Sequence, residues 1–302
     1  GRGFRSRAVE RTRARIGDGV AGKVALERRT VHESDLAMAG AFSRWPLIAG
    51  EGFVSYVGVP LIVKGKVLGV MDIFQRSTLE PDSEWLDFLD ALAGQAAIAI
   101  DNSTLYHRER RAHEDLLIAY DATIEGWSRA LDLRDRETEG HTVRVTEVTL
   151  RLARTLGVPD DELVTIRRGA LLHDIGKVGI PDSILHKPGP LDEDEWRVMR
   201  LHPQMARDLL SPVMFLREAL AIPYCHHEMW DGKGYPQRLK GISIPLPARI
   251  FAVVDVWDAL RSDRPYRKAW PDEQVLAHIR TLSGKHFDPQ IAEAFLHMVD
   301  RE

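Results

Sequence analysis

The stretch Ala170-Leu171-Leu172-His173-Asp174-Ile175-Gly176-Lys177 sets an imidazole beside a carboxylate where an apolar helical run meets a glycine. A neutral imidazole suits a transition metal, and a carboxylate can bridge two of them. Lys177 adds a positive charge three residues after Asp174, suited to a phosphate. A capped helix end would show the same dipeptide, so the weight falls on the rest of the chain. Glu137 and His141 stand four residues apart and, if helical, share one face a single turn apart. His202 precedes Pro203 near a helix. His226 and His227 are adjacent and read as part of a helix that contains Pro223. On a helix they diverge by about 100°, so each serves a different ion or one supports the other. Asp255 sits in the apolar run Ile250-Phe251-Ala252-Val253-Val254-Asp255-Val256. An unpaired carboxylate there is costly to bury, and a metal removes that cost.

This set suffices for two ions, and for a third if every member takes part. Its donors are nitrogen and oxygen, and the single thiol, Cys225, is poorly placed. That favours iron, manganese, zinc or a similar ion over a structural zinc knuckle. Two ions a few ångströms apart are the usual machinery for attack on phosphorus. Taken singly, His202 reads as a satisfied histidine and His226-His227 as a helix face. His32, His107, His113, His186, His278, His286 and His297 are assigned to no site. Asp258, three residues after Asp255, reads as a structural or supporting group.

These side chains need elements to position them. From about residue 125 onward the apolar spacing is helical, with helices predicted over 143–156, 163–172, 193–210, 215–225, 247–260 and 273–282. Pro/Gly loops separate them at 179–190, 231–247 and 283–289. The first 80 residues or so read as mixed α/β. Residues 53–61 and 67–74 are strand-like and are joined by Lys64-Gly65-Lys66, which makes an antiparallel hairpin. The arginines at 2, 5, 7, 11, 13 and 15 read as a solvated helix face. Residues 83 to about 130 read as one long helix or two in series. Leu92, Ala96, Ala99, Tyr106, Leu117, Tyr120, Ile124 and Trp127 fall on a 4-3 spacing, interrupted by Ser103, Arg110 and His113. Such a seam suggests a parallel dimeric connector, against the alternative of an amphipathic helix packed on its own domain.

A chain of 302 residues with 44% hydrophobic and 28% charged residues is long enough for two domains with real cores. A net charge of -4 argues against a broad surface for nucleic acid polymers, though not against a local basic pocket. One cysteine excludes an intrachain disulfide and fits a reducing, cytoplasmic setting. No apolar run has membrane-spanning length. The chain begins Gly1-Arg2-Gly3, so a longer parent protein is expected.

The N-terminal part resembles a GAF domain. The resemblance is carried by Ile16-Gly17-Asp18-Gly19-Val20-Ala21-Gly22, Val57-Gly58-Val59-Pro60-Leu61 and Val67-Leu68-Gly69-Val70-Met71, with a closing helix at Gln95-Ala96-Ala97-Ile98-Ala99-Ile100-Asp101-Asn102. It covers roughly residues 1–105 without the family's opening helix and first strands, and implies a shortened sensory domain whose small ligand is unknown. The C-terminal part resembles an HD-GYP domain of the HD phosphohydrolase superfamily. Here the carriers are His173-Asp174-Ile175-Gly176-Lys177, His226-His227-Glu228, Asp231-Gly232-Lys233-Gly234-Tyr235-Pro236, and Asp255 through Asp263-Arg264-Pro265-Tyr266-Arg267.

That second resemblance implies a helical bundle that hydrolyses cyclic di-GMP with two or three divalent ions, commonly iron or manganese. It implies metal ligation by His141, His173, Asp174, His202, His226, His227 and Asp255, with Asp174 bridging and Glu137 available for a third ion. It also implies phosphate contacts from Lys177, Arg264 and Arg267. Met229 stands where family members often carry a basic residue, which touches only local loop contacts. The organisation expected is a GAF-like α+β domain over 1–105, a helical connector over 106–130 and an all-α HD-type bundle over 131–302. The expected activity is cyclic di-GMP hydrolysis to pGpG and onward to GMP, by a homodimer joined through the connector, with a protein partner at the Gly234-Tyr235-Pro236 loop. The alternatives are a non-hydrolysing cyclic di-GMP receptor or scaffold, and a hydrolase of another cyclic dinucleotide.

Overall fold

The structure, a computed structural model, describes residues 3–5, 15–38, 49–135, 140–263 and 268–300. Glu137, Arg264 and Arg267, and the arginines at 2, 7, 11 and 13, lie outside the described residues. The chain divides into two compact units, Gly1–Asp115 and Leu116–Glu302.

In the first unit, strands β1 (Val31–Glu33), β2 (Ser55–Val63) and β3 (Lys66–Gln75) form an antiparallel sheet in the order β1-β2-β3. The hairpin turn is tight because Lys64 and Gly65 both adopt positive φ, at 48° and 74°, the mirror-image turn that matches strand twist. Side chains alternate across β2 as a pleated strand requires. Tyr56 packs with Val20, Val24 and Phe53 under the helix Gly19–Glu27, while Val57, Val59 and Leu61 pack against Leu89, Ala93 and Ala97.

Residues 83–135 are one helix, Ser83–Asp135, which runs through the boundary between the units. Its apolar seam is not uniform. Tyr106 and Trp127 are exposed, whereas Ile124 is buried with Leu171, Leu172 and Leu210, and Tyr120 stacks on Phe215 at 4.4 Å. The last third of the seam is thus taken up by the chain's own second unit.

Apart from an isolated bridge between Ser283 and Phe287, the regular elements of the second unit are helical among its described residues. Its core centres on the helix Leu246–Arg261, whose Ile250, Phe251, Val253 and Val254 are fully buried among residues of the helices His141–Thr155, Asp160–Leu171, Asp272–Leu282 and Pro289–Val299. An almost uniformly apolar helix is stable only in such a position.

Three sequence expectations are corrected here. The helix expected over 193–210 is two, Glu193–Met199 and His202–Leu210, because Pro203 supplies no N–H to continue the ladder and instead occupies the first turn of a new helix. His226 and His227 are not on a helix: the helix Ala221–Cys225 stops just before them, and the preceding residues 214–220 are short 3-10 turns. A terminal helix, Pro289–Val299, was not expected; its start is capped by Asp288, which accepts from Gln290 N at 2.9 Å.

Candidate metal centre

Each donor reaches the centre from the end or the middle of a packed helix. His141 opens the helix His141–Thr155 after Gly140, which turns at φ 74°. The preceding described element is the helix Ser83–Asp135, and Glu137 lies outside the described residues. His173 and Asp174 follow the end of Asp160–Leu171, where the chain tightens into the 3-10 turn Ile175–Gly179. A side chain at Gly176 would strike the His202 carbonyl oxygen and sit 2.7 Å from Ala206 N, so this turn and the start of His202–Leu210 touch backbone to backbone. His202 opens that helix, His226 and His227 follow Cys225, and Asp255 projects from the buried helix Leu246–Arg261.

These segments converge on two groups whose ligand atoms lie within 4.8 Å of one another: His141, His173 and Asp255; and Asp174, His202, His226 and His227. Asp174 stands between them. Its Oδ2 is 3.1 Å from His173 Nε2 of the first group and its Oδ1 is 3.2 Å from His202 Nε2 of the second. His141 Nε2 lies 3.6 Å from Asp255 Oδ1. Seven of the eight residues named as ligands from the sequence are brought together; Glu137 lies outside the described residues.

The imidazoles are oriented for ligation. His173 Nδ1 is 2.9 Å from Ala170 O, His202 Nδ1 is 2.8 Å from Met199 O, and His226 Nδ1 is 3.1 Å from Ile222 O. His141 Nδ1 is 2.6 Å from Asp258 Oδ2. A carbonyl or carboxylate only accepts, so in the neutral rings Nδ1 carries the proton and Nε2 presents a lone pair to the centre. His202 Nε2 and His226 Nε2 face each other at 3.4 Å, two acceptors with no proton between them. Asp174 Oδ1 is buried with no hydrogen bond of good geometry, its approach to His202 being close but misdirected. Inward lone pairs around an orphaned carboxylate oxygen are what a cation relieves. The donor set fits divalent metal ions.

The electrostatics agree. Burial opposes the charge on Asp174, but the Lys177 ammonium and His173 outweigh it and hold the carboxyl well below the usual carboxylate range. Burial likewise opposes Asp255, and the neighbouring imidazoles, His141 first and then His173, outweigh it and lower its pKa. Burial pushes His227 well below the usual histidine range, helped by His226 and His202, and burial lowers His226 against the pull of Asp174. The carboxyls are kept ionised and His226 and His227 neutral, the forms that bind metal, whereas Asp174 raises the pKa of His173 against the effect of burial.

Asp258, read from the sequence as a structural or supporting group, and Lys177 take partners that the sequence does not name. Asp258 accepts from His141 and from Arg144, whose Nε and Nη2 approach it at 3.1 Å. Asp258→Asn should weaken metal binding at the His141 group by roughly ten- to hundredfold, as read by metal titration, because the ring loses the charged acceptor that fixes its tautomer. Lys177 is not simply aimed at solvent: its Nζ is 2.5 Å from Asp135 Oδ2 and 2.7 Å from Asp174 Oδ2. The Gly234-Tyr235-Pro236 loop folds back over the histidines. Tyr235 stacks on His227 at 4.8 Å, and buried Glu228 accepts from the N–H groups of Gln237 and Leu239. Arg200 lies over Trp196 and Tyr235, 5.6 and 5.8 Å from their ring centres. The partners in these contacts carry no local sequence signal, since each contact joins residues distant in the chain or across a turn.

Residues 125–291 match the family model described as HD domain, and residues 2–101 match the one described as GAF domain. The chain is 43% identical over 175 residues to the 3′3′-cGAMP-specific phosphodiesterase 2 of Vibrio cholerae, covering 57% of this chain and 34% of that protein. It is 44% identical over 176 residues to the cyclic di-GMP phosphodiesterase response regulator RpfG of Xanthomonas campestris pv. campestris, covering 58% and 47%. It is 42% identical over 190 residues to a cyclic di-GMP phosphodiesterase of Thermotoga maritima, covering 62% and 50%. The chain spans half or less of the length of these relatives. The match over more than half of the chain and the assembled His-Asp set lead to one conclusion: the chain belongs to the HD domain family, in its HD-GYP branch, with a GAF domain ahead of it.

Proposed function

We propose that this protein is a metal-dependent phosphodiesterase that hydrolyses cyclic di-GMP. The observation that carries the reading is Asp174 between two donor groups, with the Lys177 ammonium 2.7 Å from its outer oxygen. His141, His173 and Asp255 would hold one ion, and His202, His226 and His227 the other, with Asp174 shared between them. Glu137 would serve a third. Ions held there would supply a nucleophile at neutral pH and take up charge developing on the phosphoryl oxygens. Iron or manganese suits a mixed imidazole and carboxylate set.

The chain's own groups bind and orient the substrate. Lys177 would hold a non-bridging phosphate oxygen beside the ions, as a compact charge with several donors. Arg264 and Arg267 would grip the phosphates bidentately. The His227–Tyr235 stack closes one side of the centre with apolar surface. Water adds to one phosphorus and the 3′ oxygen departs with a proton, which gives pGpG; a second hydrolysis gives GMP.

The GAF domain over 1–105 would regulate this activity through a connector over 106–130, with the catalytic domain over 131–302. A cavity of about 290 Å³ lined by residues including Arg15, Ala25, Gly69 and Asp72 supports a small ligand in the GAF unit. Exposed Leu92, Tyr106, Leu117 and Trp127 support a homodimer along the long helix, and the Gly234-Tyr235-Pro236 loop is the proposed site for a protein partner.

The test is hydrolysis by anaerobically purified, metal-loaded protein, with product identified by chromatography and metal measured by elemental analysis. Turnover of cyclic di-GMP to pGpG, lost on chelation and restored by iron or manganese, is the expected result. Tight binding without turnover would instead make the protein a receptor. The identity to a 3′3′-cGAMP phosphodiesterase favours one second reading, a preference for that dinucleotide, so both are assayed side by side.

A further inference from the structure

The last turn of the long helix Ser83–Asp135 touches the centre through a residue that no sequence motif singles out. Asp135 is its final residue, with a side chain only 8% exposed, and it lies 2.5 Å from Lys177 Nζ. Its neighbour Arg134 grips the backbone that carries Lys177. Arg134 Nη1 donates to Val178 O at 2.6 Å and to Lys177 O at 3.2 Å, while Nη2 donates to Ile180 O and to Asp182 Oδ1, each at 2.9 Å. One turn earlier, Asp132 accepts from Thr142 Oγ1 at 2.6 Å, next to His141. On its opposite side the turn Ile175–Gly179 is jammed at Gly176 against His202 and Ala206. The lysine is therefore held between a fixed wall and the end of a helix.

We propose that Asp135 and Arg134 are positioning residues for Lys177, so that the helix end acts on the group that holds substrate phosphate rather than on the metal donors. The argument rests on the phosphate role assigned to Lys177 above. A flexible four-carbon side chain has many rotamers, and a buried carboxylate at hydrogen-bond distance selects one. Asp174, which also approaches Lys177, stands between the two donor groups, so its carboxylate is shared. Asp135 belongs to neither donor group among the described residues, so its hold on the lysine does not compete with ligation. Arg134 fixes the carbonyls of Lys177, Val178 and Ile180, which sets where the side chain starts. The donors His173, His202 and His226 are anchored elsewhere, by Ala170, Met199 and Ile222 carbonyls, and do not depend on this clamp.

The experiment is a double-mutant cycle on the full chain between Asp135→Asn and Lys177→Ala. Three quantities are read: metal per chain, affinity of the metal-loaded protein for cyclic di-GMP by calorimetry, and KM and kcat. Asp135→Asn is expected to weaken affinity and raise KM about tenfold, with kcat less affected and metal content unchanged. In the Lys177→Ala background the same substitution should be silent. Arg134→Lys, which keeps the charge but not the fork, should show a smaller loss with the same dependence on Lys177, and serves if Asp135→Asn does not fold. Equal losses with and without Lys177, or a parallel fall in metal content, would overturn the proposal. A Lys177→Ala protein that binds and turns over normally would overturn both the phosphate role of Lys177 and this inference. Weakened binding in Lys177→Ala, with Asp135→Asn silent when Lys177 is present, would overturn this inference alone.

Discussion

Asp174→Ala should abolish hydrolysis, by at least about 10³-fold, and strip metal from both donor groups rather than one. Substituting a residue that merely supports a ligand costs roughly ten- to hundredfold in metal affinity or activity. Asp174 is placed to do more, since its two oxygens lie 3.1 and 3.2 Å from imidazole nitrogens of separate groups. Without it, each group loses charge balance together with a donor, and the spacing between the ions is no longer set. Elemental analysis alongside the assay separates the possible results: an inactive protein that still carried two ions would assign Asp174 a role other than bridging. The metal-free protein gives an independent reading. The folded-state pKa of Asp174 lies well below its reference value of 3.8, so its ionised form stabilises the native state. That contribution is fully present above pH 3.8 and is lost as pH falls through the lower folded value. The stability difference between metal-free wild type and Asp174→Ala should accordingly narrow in strong acid, as followed by urea unfolding across pH.

Gly176→Ala should be the most damaging single methyl in the second unit, costing about 3 kcal/mol or more, with little folded protein recovered. The added carbon would overlap His202 O and crowd Ala206 N, both backbone atoms of a packed helix that cannot swing aside as a side chain would. Relief would require the turn Ile175–Gly179 and the helix His202–Leu210 to part. That would separate Asp174 from His202 and pull Lys177 away from Asp135. Any folded fraction should therefore also bind metal poorly. Thermal unfolding and metal content check the two effects, and a Gly176→Ala protein with wild-type stability would contradict the close packing. By comparison Gly189, with nothing near its Cβ position, should accept alanine with a change within about 0.5 kcal/mol.

The chain's own chemistry determined the donors, and it did so locally. The His173-Asp174 pair at the end of an apolar helical run, Asp255 inside the run Ile250–Val256, and the pair His226-His227 are legible because a polar group stands where only apolar ones are otherwise tolerated. The hairpin is legible for the same kind of reason: alternation over 53–61 and 67–74 brackets Lys64-Gly65, which can take positive φ. The helices over 141–155 and 246–261 follow from period alone, within a residue or two at their ends, while the long helix, expected as one or two to about residue 130, runs unbroken to Asp135. Tertiary structure decided what periodicity does not contain. Tyr120 and Ile124 carry the seam spacing, yet they pack on Phe215 and Leu172, so spacing alone did not say which apolar positions face a partner. His226 and His227 left their expected helix because the loop that follows folds back on them and holds Tyr235 against His227. Above all, Asp258 meets His141 across 117 positions, and Asp135 meets Lys177 across 42. A hydrogen bond depends on distance and angle in space, and those are set only when separate helices bury their apolar faces against one another. The sequence could therefore name the atoms able to bind an ion, while the packing alone settled which partner holds each of them in place.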